Sequence, residues 1–181
     1  MAIDKVTSAS IATDAVGPTQ LNEASNYAFT GTVTGAGESN TPSFYAYLGS
    51  GQSLSNTTLT KLNIDAEVFD TANAYDNSSN MRYTPQTAGK YFVFCTFRID
   101  SGSDDDAQEF KIKKNGSTDI ISITYRNEYY DTMTGQAVVD MNGSSDYVEL
   151  FALIEHVSSG SVHVTGSSDN YSNFGAYRII T

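Results

Sequence analysis

The nine residues Tyr91-Phe92-Val93-Phe94-Cys95-Thr96-Phe97-Arg98-Ile99 restrict the fold of this chain more than any other segment. Aromatic and β-branched side chains of this kind suit a pleated, half-buried surface. Successive side chains of a strand point to opposite faces. Tyr91, Val93, Cys95, Phe97 and Ile99 therefore share one face, and Phe92, Phe94, Thr96 and Arg98 the other. Antiparallel sandwich strands ordinarily keep one face polar and wet. Here both faces carry aromatics, so the second face needs cover, either from another subunit or from loops of the same chain.

Two further stretches extend the pattern. Phe110 to Tyr125 places Asn115-Gly116 between two alternating runs, a strong hairpin signal because both residues tolerate positive φ. Ala137 to Val157 repeats the arrangement, with Asn142-Gly143 leading into Val148, Leu150, Ala152 and Ile154 on one face. The opposite face would hold Tyr147, Glu149, Phe151 and Leu153. From Phe44 onward, short apolar runs alternate with turn signals at the spacing of a sandwich or barrel. The remaining sequence is rich in Ser, Thr, Asn, Asp and Gly, which favour turns and exposed strand faces over helix interiors. The expected class is all-β.

A chain of 181 residues holds one domain of roughly 100 to 150 residues plus an appendage. The 12 Tyr and 9 Phe supply enough apolar bulk for its core. A net charge of −11 with only ten Lys and Arg excludes a clustered basic surface for nucleic acid. Cys95 is the single cysteine, so neither an intrachain disulfide nor a cysteine-based metal cage can form, and its aromatic surroundings predict a buried, inert thiol. The first residues, MAIDKVTSASIATDAVG, lack the basic start and continuous apolar stretch of a secretion signal. No later segment reaches membrane-spanning length. Export by such a signal and membrane insertion are not expected.

Residues 1–40 differ from the rest. Val6, Ile11, Val16 and Leu21 recur every five residues, a period of neither helix nor strand, and Gly17-Pro18 interrupts any helix. An extended arm that packs its aliphatics against identical copies or a larger partner is expected. The competing reading is a disordered tail. Tyr27, Phe29 and Val33, followed by glycines, read as a short strand and a hinge.

Residues 43–181 resemble the globular head of the complement first component's q subunit, within the superfamily that includes tumour necrosis factor. SFYAYLG is similar to the family's first strand, and Phe69, Tyr75-Asp76, Tyr83, Pro85, Gly89 and Tyr91-Phe92 stand in its order. FKIKKNG resembles its hairpin, SSDYVELFALI its long strand, and SNFGAYRII its closing strand. The acidic SGSDDDAQ insertion and the missing collagen stalk depart from it, so complement-type ligands do not carry over. The resemblance implies a jelly-roll β-sandwich of about ten antiparallel strands, assembling as a homotrimer. Tyr91, Phe92, Phe94, Tyr147, Phe151 and Phe174 are its expected core and trimer aromatics.

Ser10 to Gly37 resembles the shaft and attachment segments of bacteriophage fibres. That likeness implies a virion structural protein, a tail or capsid fibre. Val6, Ile11, Val16 and Leu21 would anchor it to other virion proteins, and its head would project for adhesion to a host glycan or protein. The alternatives are a purely structural capsid decoration or adaptor protein, and a non-viral secreted lectin or ligand-like module.

No catalytic motif emerges, and a non-enzyme is expected. Any two of the 21 Asp and Glu could converge for glycoside cleavage, but loops of this length offer little groove. His156 and His163 lack a partner cluster, so no metal site is expected. Asp104, Asp105 and Asp106 are contiguous rather than alternating, which reads as a solvated loop and not a calcium loop. The resemblance implies a calcium ion at the trimer axis as the sole candidate cofactor, with no residue assigned to it. Asn56, Asn77, Asn115, Asn142 and Asn170 begin glycosylation-type triplets and read as exposed loops. Ligand contacts are expected from loops 70–82, 100–108, 126–135 and 166–174 through Tyr75, Tyr129, Tyr130 and Tyr171, since tyrosine gives amphipathic contact area at low entropy cost. Ordinary packing or trimer contact is the competing role for all four.

Overall fold

The computed structural model describes residues 40–100, 105–125, 130–156 and 162–179. The chain divides into two units after Gly37, and the described strands belong to the one that begins at Glu38. The arm residues Val6, Ile11, Val16 and Leu21 lie outside the described residues.

The regular elements described are all strands: β1 (Ser43–Tyr47), β2 (Gln52–Leu54), β3 (Thr60–Lys61), β4 (Ala66–Asp70), β5 (Tyr75–Asp76), β6 (Arg82–Tyr83), β7 (Gly89–Asp100), β8 (Asp105–Lys114), β9 (Thr118–Tyr125), β10 (Tyr130–Met141), β11 (Val148–His156), β12 (Val162–Val164) and β13 (Asn173–Arg178). The count exceeds the expected ten because β2, β3, β5, β6 and β12 are only two or three residues long. One sheet runs β2-β12-β7-β13-β1-β4 with β10 also on β7. The other runs β5-β6-β11-β8-β9 with β3 also on β11. Neighbouring strands are antiparallel and mostly distant in sequence, the wiring of a jelly roll.

The core lies between the sheets and follows the alternation in the sequence. Tyr91, Val93, Cys95, Phe97 and Ile99 of β7 and Val148, Leu150, Ala152 and Ile154 of β11 are all buried. Phe44 joins the two layers: its ring stacks on Tyr75 at 4.5 Å and on Tyr83 at 4.4 Å and meets Phe174 edge-on at 5.0 Å.

The two Asn-Gly pairs behave differently. Asn115 (φ 53°) and Gly116 (φ 72°) form a tight hairpin between β8 and β9, closed by the Ser117 N–H donating to the Lys114 carbonyl at 3.3 Å. Asn142-Gly143 makes no hairpin, because β10 pairs with β7 while β11 pairs with β8. It is a corner where the chain changes sheets. The Asn142 side-chain oxygen accepts from the N–H groups of Ser144, Ser145 and Asp146 at 2.9, 2.9 and 3.0 Å.

Gly143 has φ 72°, and a Cβ there would sit 2.2 Å from the Ala88 nitrogen. Because the obstacle is backbone, it cannot swing aside. Gly143→Ala is expected to lower stability by about 2 to 3 kcal/mol, read as an earlier urea midpoint at unchanged slope. A midpoint within about 0.5 kcal/mol of the parent would show that the corner relaxes freely.

Candidate functional site

The side of the larger sheet that faces away from the core is apolar. Cross-strand register sets its residues in rows: Phe69, Tyr45, Gly175, Phe94 and Gln136 in one, and Ser43, Tyr177, Phe92 and Val138 in the next. Tyr45 stacks on Phe94 at 6.2 Å, Phe92 meets Phe94 at 6.2 Å, and Phe92 meets Tyr177 at 5.4 Å. Gly175 makes this possible, since a Cβ there would lie 2.4 Å from the tip of the Phe94 ring. Val138 is 56% exposed, Phe69 47% and Tyr177 37%. A third row of Tyr47, Asn173, Thr96 and Thr134 is polar but uncharged. Charge appears at the margins, where Lys90 pairs with Asp140 at 2.7 Å and the Arg98 guanidinium lies 4.4 Å above the Tyr171 ring. An aromatic centre with charges at the rim is the composition of a protein interface.

The smaller sheet's outer side is built oppositely. Lys61 pairs with Glu149, Lys111 with Glu109 (3.2 Å) and Asp119 (2.9 Å), Lys113 with Asp119 (2.5 Å), and Lys114 with Asp146 (2.8 Å). Phe151 is half-buried there, with the Lys113 ammonium 5.9 Å from its ring centre, and Tyr147 lies under Arg82 at 4.4 Å. The chain therefore covers its own aromatics on this side.

Hydrogen bonds from Lys113 and then Lys111 hold the Asp119 carboxyl below its ordinary range. The Asn115 amide and then Lys114 do the same for Asp146. A carboxyl lowered in the folded state adds stability above the unfolded carboxyl range and loses it as pH falls through the folded value. Thermal stability is therefore expected to be level from about pH 7 to 5 and to fall below about pH 4. Asp119→Asn should flatten that acid limb. An equally steep limb in the variant, followed by circular dichroism, would assign it to other groups.

The six expected core and trimer aromatics separate into three places. Tyr91 and Phe174 are core residues, Phe92 and Phe94 lie on the apolar outer face, and Tyr147 and Phe151 belong to the opposite side of the sandwich. They cannot form one continuous interface. Tyr45, Phe69, Tyr177 and Val138 complete the apolar face and were legible only as alternation in SFYAY and NFGAYR or as the family-like Phe69.

The loop tyrosines also separate. Tyr75 is 6% exposed, donates its hydroxyl to the Ile64 carbonyl at 2.7 Å and stacks on Phe44, so its ring packs the core while the residue lines a cleft beside β5 and β6. Its pairing with Tyr83 across β5 and β6 turns it inward. Tyr129 lies outside the described residues, and Tyr130 opens β10 opposite Asp100. Tyr171 is exposed, beneath Arg98. The expected loops are shorter than drawn, because 105–108, 130–135 and 173–174 are strand.

Cys95 is buried, its thiol pushed up to about 12 by desolvation and 3.7 Å from the Gly135 carbonyl, which gives no nucleophile at neutral pH. His163 Nδ1 lies 3.1 Å from Ser53 Oγ, and His156 ends β11. Asp104 and the side chains of Asp105 and Asp106 lie outside the description. Among the described residues, no group of three or more His, Cys, Asp and Glu could hold a metal. No described helix is long and apolar enough to cross a membrane.

No protein-family model matches the chain, and no curated protein matches it in sequence. Solved structures do. The Eiger TNF of S. frugiperda superposes with a TM-score of 0.57 at 8% identity, over 76% of this chain and 92% of that one. Murine APRIL superposes with a TM-score of 0.58 at 8% identity, over 76% and 98% of the two chains. Together with the antiparallel pairing in both sheets, this likeness identifies the fold: the described residues from Ser43 onward form a jelly roll of the tumour-necrosis-factor type.

Proposed function

We propose that the chain is a homotrimeric, ligand-like binding head that acts by contact and not by turnover. The observation that carries this reading is the uncharged aromatic face of Tyr45, Phe69, Phe92, Phe94, Val138 and Tyr177. Apolar surface of this kind is costly to leave in water. Three copies that bury it against one another relieve that cost and leave the charged sheet and its loops outward. The buried thiol supports a role without catalysis. Linked heads add avidity, so each contact can be weak.

A narrower reading places the head on a virus particle as a tail or capsid fibre. Its support is the fibre-like wording of residues 1–40, with Val6, Ile11, Val16 and Leu21 as the anchor. A decoration protein would share the arm and the trimer but bind nothing.

Sedimentation of the purified chain tests assembly, with three chain masses expected and a lone monomer at micromolar concentration sinking the proposal. Deleting residues 1–40 separates the attachment readings. A head that still adheres to cells or glycans supports the binding module, and one that adheres to nothing while particles become fragile supports decoration.

A further inference from the structure

We propose that the cleft beside β5 and β6 binds a singly charged, carboxylate-bearing sugar such as a uronic acid. This deepens the binding-head reading and rests on it. The cleft holds about 500 Å³, within the usual size of a small-ligand site, and its polar lining is Asn73, Asp76, Arg82, Thr84 and Gln86.

Arg82 carries the argument. The chain has 21 acidic and ten basic residues, so cations are scarce and partners abundant. Each described lysine takes one: Lys61 takes Glu149, Lys90 takes Asp140, Lys111 and Lys113 share Asp119, and Lys114 takes Asp146. Arg82 has no carboxylate within ion-pair reach among the described residues. Its central carbon lies over the Tyr147 ring, 4.4 Å from the ring centre. This cation–π contact restrains the guanidinium without engaging its N–H donors, which a carboxylate can then accept from.

The platform is itself held. The Tyr147 N–H donates to the Asn115 side-chain oxygen at 2.9 Å, and the Asn115 N–H donates to the Tyr147 carbonyl at 3.0 Å. The backbone that carries the ring under Arg82 is thus fixed at the cleft wall, which lowers the ordering cost of binding.

Asp76 sets the charge of the occupant. It stands directly across from Arg82 in the β5–β6 register, and its oxygens accept from the Ser79 N–H at 2.8 Å, the Asn80 amide at 2.6 Å and the Ser78 N–H at 3.1 Å. Those donors satisfy the carboxylate within its own loop, which leaves Arg82 unclaimed. They also keep one negative charge nearby, which disfavours phosphate and other polyanions. Asn73, Thr84 and Gln86 line the same cleft with side chains of the kind that hydrogen-bond sugar hydroxyls.

Titration of the full chain with glucuronate, glucose and inorganic phosphate, followed by calorimetry, tests the site. Glucuronate is expected to bind at least ~10-fold more tightly than glucose, the difference a charge-assisted hydrogen bond supplies. Arg82→Gln should remove that ~10-fold advantage, bringing glucuronate to the affinity of glucose. Should Arg82→Gln fail to melt like the parent, Gln86→Ala carries the test, with weaker binding of both sugars expected. Glucuronate no tighter than glucose, phosphate tighter than glucuronate, or unaltered affinities in the variants would overturn the proposal. Sedimentation of the same samples separates the two failures. A trimer indifferent to glucuronate ends the cleft proposal alone, and a monomer that binds it ends the assembly proposal alone.

Discussion

Asp in place of both Phe92 and Phe94 is expected to leave a folded monomer. Both rings project from β7 away from the core, so the sandwich interior is untouched. Burying a phenylalanine side chain contributes about 1.5 to 3 kcal/mol. Six such rings leave the proposed trimer interface in the variant, and six carboxylates would have to be desolvated in their place. That combination exceeds what the polar row of Thr96, Thr134 and Asn173 can offset. Sedimentation should fall from three chain masses to one, with the far-ultraviolet dichroism unchanged. Phe151→Asp is the control on the opposite sheet, where the ring lies beside the Lys113 ammonium. It should preserve the trimer and lose stability only. A double variant that still sediments as the parent would show that copies meet elsewhere.

Phe174→Ala should have the largest effect on folding. Phe174 is fully buried and contacts Phe44 edge-on at 5.0 Å and Tyr75 at 6.2 Å. Its strand, β13, is the central link between β1 and β7. Truncation leaves a cavity that the surrounding stacked rings cannot close without breaking their own contacts. The expected loss is about 3 to 5 kcal/mol, a large share of the roughly 5 to 15 kcal/mol that holds a domain folded. The urea midpoint reads it, and a shift below about 1 kcal/mol would mean that the ring cluster repacks.

What sequence could establish here was local. Period-two alternation sorted the residues of β7 and β11 into two faces, because a strand has only two faces and the side-chain repeat is geometric, but both faces are apolar and only the structure shows which one is buried. Asn115-Gly116 specified its turn because positive φ at two successive residues admits few alternatives. The burial of Cys95 was expected from its aromatic surroundings.

Contacts between distant strands decided the rest. Asn142-Gly143 is the same dipeptide as Asn115-Gly116, yet it turns a corner between sheets, since β10 and β11 each find another partner. Tyr75 reads as a loop residue in sequence and enters the core because β6 pairs with it. Phe92, Phe94 and Phe151 are equivalent as outward aromatics on alternating strands. A lysine of β8 reaches the Phe151 ring, whereas β13 sets Gly175 beside Phe94 and leaves the ring flat on the surface. Alternation determined which side chains share a face; the order of strands in each sheet, a long-range property with no local code, determined which faces the chain covers itself and which it leaves for another molecule.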